Sequence, residues 1–505
     1  MKSGSDKTLT CQSFGINVSK SVKRSDLDKL GIKNCTLLTE EIDAAKNNSK
    51  VIRVENIIEK FPFKNNDELF INPCYGDPED RDVLGGGFLT EEAFVKPNEF
   101  LNFKDFSFQK AGPRLQVALK SEEVHAAITL GGALCPGLNV AVRELVMCLW
   151  FNYGVRSIWG IRFGLNGCVD EKDWIKLTPD EVSNIHMEGG SILGSNRGSD
   201  FCTHPQAILD MIVKKDINAL FMIGGIGSHH EMNTLKGLIE KNNLKISTCC
   251  IPKTIDNDIP LIDRSFGFET SVEETVKVIS TTNLEASCSP NGIAIIKIFG
   301  RESGFTALHA TNGSRDVNIC LLPEQKFNLY GEYGLIEYVF KRLKLRDHCV
   351  ILVSEGTAFS ILDKNLEGID TKDSYGNKIY PDVGKALEKE LNEYANKNNL
   401  DVNIKYIDPT YIIRAHVANS FDTAYATKIA QNAVHCIFAG FTNFSPGFIE
   451  RHPVIIPIDH IVKVGKRKID VNSDNEYRCM MASTGQPSFN FSNTRLTKSS
   501  HSTVV

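Results

Sequence analysis

The chain reads as an α/β protein, with two doubly wound parallel-sheet domains preceded by an N-terminal extension. Three observations predict this: short apolar runs recur with helix-length amphipathic segments between them, glycine-rich turns follow the runs, and the whole succession restarts after residue 290. Parallel neighbours need a long crossover, usually a helix, so alternation of this kind is the signature of a parallel sheet.

Residues 1–115 lack the alternation and are rich in turn formers, including Asn47-Asn48, Asn65-Asn66 and Gly85-Gly86-Gly87. They read as an extension with a mobile start and a later part that packs on the body. Strands are expected at Ala126 to Leu130, Ser157 to Ile161, Ala219 to Ile223 and Ile246 to Ile251. They give a first domain over 116–280, to which a segment near 418–465 returns. Gly292 to Phe299, Val317 to Leu322 and Cys349 to Val353 give a second domain over 281–417. Residues 466–505 form a C-terminal extension, and from Ser488 the Ser, Thr and Asn content predicts a disordered tail.

At 505 residues, 42% hydrophobic and 24% charged, the chain can bury a core for about two domains. A formal charge of -5 gives no pull towards nucleic acid, and Lys466-Arg467-Lys468 reads as a solvated turn. The 14 cysteines are scattered without Cys-x-x-Cys spacing, which fits a reducing compartment. No apolar stretch approaches the roughly 20 residues of a membrane span. The N-terminus has no apolar signal core and soon gains Asp26 and Asp28, so a cytoplasmic protein is expected, with a plastid left open.

Pro252-Lys253-Thr254-Ile255-Asp256-Asn257-Asp258 places an amine, a hydroxyl and two carboxylates at the end of an apolar run, where open α/β sheets bind ligands. A carboxylate such as Asp256 can take a proton from an attacking hydroxyl. Lys253 can neutralise phosphate charge, and Asp258 can help to hold a metal. A plain Asx turn reads the same residues equally well.

Gly131-Gly132-Ala133-Leu134-Cys135-Pro136-Gly137-Leu138-Asn139 opens a helix expected over Val140 to Trp150, so bare backbone N–H groups can face an anion there. Gly224-Gly225-Ile226-Gly227-Ser228 repeats the arrangement before a helix expected to start near His230. Gly189 to Gly198 is a third loop, carrying Arg197. Adjacent His229 and His230 do not share a helix face, which disfavours a shared metal. In the second half, Gly300-Arg301-Glu302-Ser303-Gly304 follows a strand, and Tyr411 and Arg414 lie one helical turn apart; arginines there suit bidentate phosphate contacts.

Together these segments resemble the 6-phosphofructokinase family, most closely its plant-type ATP-dependent branch, which is also similar to the trypanosomatid enzymes. The resemblance runs from Ala111 to Pro487. It rests on Gly-Gly-x-x-Cys-Pro-Gly-Leu-Asn at 131–139, Pro-Lys-Thr-Ile-Asp-Asn-Asp at 252–258, Gly-Arg-x-Ser-Gly-Phe at 300–305 and Tyr-Ile-Asp-Pro-Thr-Tyr-Ile-Ile-Arg at 406–414. It implies the phosphofructokinase fold, with the first domain binding ATP and the second binding fructose 6-phosphate. The implied reaction transfers the γ-phosphoryl of Mg-ATP to the 1-hydroxyl of fructose 6-phosphate. By the same resemblance Asp256 is the proton acceptor, with Thr254 and Ile255 beside the sugar. Phe299, Gly300, Arg301, Glu355, Tyr411 and Arg414 belong to the sugar-phosphate site. Gly132, Arg197, Gly198, Gly225, Gly227, Ser228 and Lys253 belong to the nucleotide phosphates, and Asp258 to Mg2+. Gly227 favours ATP, since pyrophosphate-using relatives carry Asp there. A homo-oligomer is implied, commonly a tetramer.

Four positions depart from the family pattern. Ile226 stands where many members have a Mg2+-holding Asp, Leu165 replaces a Tyr, Phe299 a Met, and Val417 lies where relatives tend to have a basic residue. They keep a second reading open: a catalytically impaired relative that acts as a regulatory subunit or metabolite-binding partner, in a hetero-oligomer with a paralogue.

Overall fold

A computed structural model describes residues 50–52, 54–55, 70–71, 94–95, 106–114, 116–195, 204–357 and 381–489. Strands used below, in chain order, are β1 (His125–Leu130), β2 (Ser157–Ile161), β3 (Trp174–Lys176), β4 (Ala219–Gly224), β5 (Ser247–Pro252), β6 (Gly292–Ile298), β7 (Ile319–Leu321), β8 (His348–Ser354), β9 (Asn403–Ile407), β10 (Phe444–Ile449) and β11 (His452–Pro457). The helices are α1 (Leu138–Met147), α2 (Ile226–Lys241), α3 (Phe268–Ser287), α4 (Phe305–Ser314), α5 (Leu335–Arg346), α6 (Val383–Lys397), α7 (Thr410–Arg414), α8 (Ser420–Phe438) and α9 (Asn475–Thr484).

The chain divides into two compact units. The first comprises the described residues up to Lys253, with Ile259–Phe266 and Ser420–Gly465; the second comprises Thr254–Asp258, Gly267–Asn419 and the described residues from Lys466.

In the first unit the strand order β11-β10-β5-β4-β1-β2-β3 has a parallel centre, with β11 and β3 antiparallel at its flanks. Every residue of β4 and β5 is buried, as strands covered on both faces must be. Chain order departs from β1 to β2 on one side and to β4 on the other. The carboxyl ends of β1 and β4 therefore flank a topological switch point, the standard ligand crevice of open α/β sheets. Beyond β11 the sheet gains Phe106–Lys110 and, parallel to it, Lys50–Ile52. Both strands belong to the N-terminal extension, whose expected mobile start lies outside the described residues.

In the second unit β7-β8-β6-β9 is an all-parallel sheet. One apolar cluster joins Ile293, Ile295, Ile351 and Val353 of the sheet to Leu335, Val339 and Leu343 of α5 and to Leu387 and Leu391 of α6. Since all four strands run one way, the turns after β6, β8 and β9 emerge on one edge. Those turns carry Arg301 and Glu355, and the turn after β9 leads into α7, which carries Arg414.

Several expectations need correcting. A domain boundary near residue 280 cuts through α3, which runs unbroken from Phe268 and belongs wholly to the second unit. Residues from 466 are not an appendage: Gln486 bonds both the N–H and the C=O of Cys320 in β7, at 2.6 and 2.9 Å. Disorder from Ser488 does not hold at Phe489, which is 2% exposed and accepts a bond from Asn328 N; residues from 490 lie outside the described ones. The sequence signal failed there because a single aromatic in a polar stretch is a weak anchor on composition alone.

Candidate active site

In the first unit the glycine loops are built by close approach. Gly131 N donates to Ile223 O at 2.8 Å, tying the end of β1 to the end of β4. A Cβ on Gly131 would lie 2.0 Å from Ser228 Oγ, and one on Gly224 would lie at the same 2.0 Å. Ser228 is therefore wedged between two turns that only glycine allows to come so near, and it is buried. Gly132 has φ +78, a left-handed conformation, with Lys253 Nζ beside it. Lys253, at the end of β5, donates to Ala133 O at 2.7 Å.

The second helix starts at Ile226, not near His230, so Gly225 is its N-cap and Gly227 and Ser228 lie in its first turn. The Gly-Ile-Gly-Ser composition reads as loop, but first-turn N–H groups need no intrahelical partner and glycine leaves them open. Nothing lies within 4 Å of a Cβ placed on Gly227. The 16-residue helix thus points its bare N–H groups and positive dipole end out of the sheet's carboxyl edge. His229 holds this turn from inside: its ring contacts Gly225 O at 2.8 Å and Ser445 Oγ at 3.1 Å, and burial pushes its pKa down to about 4. It is a neutral structural residue, while His230 is exposed. Arg197 and Gly198 lie outside the described residues.

In the second unit Thr254 organises the carboxylates. Its hydroxyl donates to Asp258 Oδ1 at 3.0 Å and accepts from Asp256 N at 3.0 Å. The turn reading therefore holds, and the turn is what presents the carboxylates. Thr306 Oγ1 donates to Ile255 O at 2.9 Å and Ser303 Oγ to Asp256 O at 3.5 Å, fixing the backbone on which Asp256 rides. Asp256 Oδ1 is buried without a hydrogen bond, although the residue as a whole keeps partial exposure. Burial first, and then the neighbouring Asp258 carboxylate, push the Asp256 pKa up to about 7, against the pull of Arg414. Asp258 is raised too, again by burial, with Lys466 the foremost opposing charge.

The turns after β6 and β8 interlock beside these residues. Gly300, at φ +117, accepts a bond from Gly356 N at 3.0 Å, and a Cβ on Gly356 would lie 1.9 Å from Arg301 O. That backbone contact brings Arg301 Nε to 3.6 Å from Glu355 Oε1. After β9, Asp408 accepts from Thr410 N at 3.1 Å to start α7 and is held by Lys297 of β6 at 2.6 Å. Tyr411 on that helix is 72% exposed, with its ring open to solvent. Phe299 and Ile255 are buried, so their side chains pack inwards.

Two of the departures, Ile226 and Leu165, have packing explanations. Ile226 rests against an apolar cluster of Phe108, Ile259, Ile262, Ile449, Val454, Ile456 and Ile461. Leu165, 3% exposed, sits in another cluster with Ile161, Cys168 and Trp174. Val417 is 39% exposed, and nothing in the structure explains the loss of a basic residue there.

Among the described residues no group of three or more His, Cys, Asp or Glu side chains forms a metal cage. Asp256 and Asp258 nonetheless suit a hard cation, because they are oxygen donors and one buried oxygen is unsatisfied. The fit is to Mg2+ of the kind that arrives with phosphate and water ligands and takes one or two carboxylates from the protein.

Sequence reasoning missed Lys466. Taken for a member of a solvated turn, it contacts Glu302 Oε1 at 2.8 Å and acts on both Asp258 and Asp256. A three-residue basic run gives no signal of which member turns inwards.

Comparison with known proteins agrees with this architecture. The family model described as Phosphofructokinase matches residues 125–437. The chain is 42% identical over 418 residues to ATP-dependent 6-phosphofructokinase 7 of Arabidopsis thaliana, covering 83% of this chain and 84% of the relative. It is 38% identical over 414 residues to ATP-dependent 6-phosphofructokinase of Borreliella burgdorferi, covering 79% and 91%. Among solved structures, the pyrophosphate-dependent phosphofructokinase of Marinobacter aquaeolei aligns with TM-score 0.58 at 17% identity, over 72% of this chain and 91% of that one, a likeness of fold. The interlocked glycine turns, the paired carboxylates and these matches converge: the chain belongs to the phosphofructokinase family.

Proposed function

We propose that the protein is an ATP-dependent 6-phosphofructokinase, transferring the γ-phosphoryl of Mg-ATP to the 1-hydroxyl of fructose 6-phosphate to give fructose 1,6-bisphosphate and ADP. The observation that carries the reading is the Asp256 carboxylate: buried on one oxygen, unsatisfied there, and set beside Arg414 on a backbone clamped by Thr306 and Ser303. A general base works best with a pKa near the working pH, and this carboxyl is lifted towards neutrality. Asp256 takes the proton of the sugar hydroxyl. Arg301, oriented by Glu355, and Arg414 hold the 6-phosphate, with Tyr411 alongside. Gly132, the first turn of α2 at Gly225, Gly227 and Ser228, and Lys253 hold the nucleotide phosphates, joined by Arg197 and Gly198. Asp258 would be the protein ligand of Mg2+ bound with ATP, and the ion would offset phosphate charge.

The donor follows from Gly227, where open space leaves room for a nucleotide. A homo-oligomer in the cytoplasm completes the reading; a relative from Arabidopsis thaliana at 40% identity is named chloroplastic, so a plastid form is the alternative. The regulatory-subunit reading loses its main support, because Ile226 has a packing role of its own.

The test is phosphoryl transfer by the purified protein to fructose 6-phosphate from Mg-ATP and, separately, from Mg-pyrophosphate, with Asp256→Ala as the blank. Product from ATP alone, absent from the blank while sugar-phosphate binding persists, is the expected result. No product with either donor would overturn the reading.

A further inference from the structure

Lys297 lies one residue before the end of β6, on the same face of the strand as Ile293 and Ile295. That face packs on α5 and α6, and every other residue of the strand is buried, so an amine there needs a partner. The sheet supplies one. β6 pairs with β9 from Gly292–Asn403 to Ile296–Ile407, and the same register carried one step further sets Lys297 opposite Asp408, the first residue beyond β9. Their side chains meet at 2.6 Å. Asp408 Oδ1 in turn accepts from Thr410 N at 3.1 Å, the bond that opens α7.

Burial works against both charges, yet Asp408 raises the pKa of Lys297, and Lys297 with Thr410 lowers that of Asp408. Asp382 and Glu355 also favour the charged lysine, but each has work elsewhere. Asp382 accepts from Tyr406 OH at 2.7 Å and caps α6 at Gly384 N, and Glu355 lies beside Arg301. Asp408 is the carboxylate that Lys297 contacts.

α7 depends on such a tether. It is five residues long, too short to persist without tertiary support, and only Thr410 and Ile413 within it are buried. The strand that leads into it, β9, lies at the sheet edge and has no buried residue. β6 is therefore a common support for both guanidiniums assigned to the sugar phosphate: its own turn carries Arg301, four residues after Lys297, and its ion pair holds the turn that leads to Arg414.

We propose that Lys297 is a positioning residue for sugar-phosphate recognition: through Asp408 it fixes the start of α7 and thereby the placement of Tyr411 and Arg414. The inference deepens the kinase reading and rests on it for its kinetic half. Lys297 acts through Asp408 and does not itself touch the substrate.

The experiment compares Lys297→Met, Lys297→Arg, Asp408→Asn and the double variant Lys297→Met/Asp408→Asn in the full-length protein. Amide hydrogen exchange read by mass spectrometry is measured beside kinetics with Mg-ATP and fructose 6-phosphate. Lys297→Met keeps the stem and removes the charge. It is expected to raise exchange on the order of tenfold in the peptide over 408–416 while β8 stays protected, because only the tethered turn is released. KM for fructose 6-phosphate is expected to rise about tenfold, with kcat and KM for ATP changed less than about threefold, as for loss of binding that ground state and transition state share. Lys297→Arg is expected to restore most of both. The double variant should fare no worse than Lys297→Met, because the partner is already lost, and additive losses would overturn the pairing. Asp408→Asn keeps an acceptor for Thr410 N and loses only the charge, so it carries the same test if Lys297→Met does not fold. Unchanged exchange over 408–416 in both single variants would overturn the tether. Raised exchange with KM for fructose 6-phosphate unmoved would overturn the role in recognition. A wild type that neither turns over fructose 6-phosphate nor binds it in isothermal titration would overturn the kinase reading, while raised exchange in the variants would leave the tether of α7 standing.

Discussion

Lys253 Nζ donates to Ala133 O at 2.7 Å, so the lysine that directly follows β5 is bound to the loop that follows β1. Two strands separated in the sheet by β4 are thereby joined at their carboxyl ends, across the switch point. The bond orients the amine and leaves Gly132 in its left-handed conformation alongside it.

Lys253→Met keeps the length of the side chain and removes both the bond and the charge. The expected outcome is a KM for ATP raised several-fold and kcat lowered on the order of a hundredfold, as for removal of a group that stabilises developing phosphate charge. KM for fructose 6-phosphate should move little. Steady-state kinetics with each substrate varied in turn checks this; a loss of kcat with both KM values unchanged would place the lysine's role in chemistry alone.

Arg301 and Glu355 make a separate prediction. Their contact at 3.6 Å depends on the backbone bond between Gly356 and Gly300, so the guanidinium is aimed before a ligand arrives. Arg301→Lys keeps the charge but loses the planar fork and is expected to raise KM for fructose 6-phosphate about tenfold, roughly 1.4 kcal/mol. Arg301→Ala should cost more. Isothermal titration with fructose 6-phosphate reads the same difference without turnover, and unchanged affinity in both variants would remove Arg301 from the site.

How much of this was legible beforehand depended on what each residue faces. The fully buried strands β4 and β5 declare themselves as continuous apolar runs, and the turns at 131–139, 252–258 and 300–304 follow from glycine and short polar side chains after such runs. β9 was not anticipated: Asn-Ile-Lys-Tyr-Ile is an edge strand exposed or half-buried along its length, so its composition resembles a loop. The start of α2 was misplaced because two glycines mask a helix whose first turn needs open N–H groups. Lys466 was missed because its partners, Glu302 and Asp258, lie more than 150 residues away in the chain, and no local pattern encodes such a contact.

Ile226→Asp tests whether an apolar side chain at the head of α2 is a defect or a fit. The residue is partly buried against Ile259, Ile262, Ile456 and their neighbours, so a carboxylate there is taken from water without a partner. The substitution is expected to destabilise the fold by about 1–3 kcal/mol, with no rise in turnover at saturating Mg2+. Denaturant titration alongside activity measurements separates the two effects. A gain of tenfold or more in kcat would mean that the position serves the ion after all.

Glu231, in the second turn of α2, gives a prediction in pH. Burial pushes its carboxyl from an ordinary value near 4.5 up to about 7, and no cation is among the causes of the shift. Its protonated form therefore fits the folded state better than its charged form. Between about pH 4.5 and 7 the folded protein binds more protons at this residue than the unfolded chain does, so its contribution to stability falls as pH rises and levels off as a penalty above about 7. Glu231→Gln removes the titration while keeping the shape. The variant should match the wild type near pH 4.5 and exceed it at pH 8 by on the order of 1–3 kcal/mol, after allowance for the residue's partial exposure. Urea unfolding at the two pH values measures the difference directly. A variant whose advantage is the same at both would show that Glu231 is already ionised throughout, and that its burial is compensated by a partner in the folded chain.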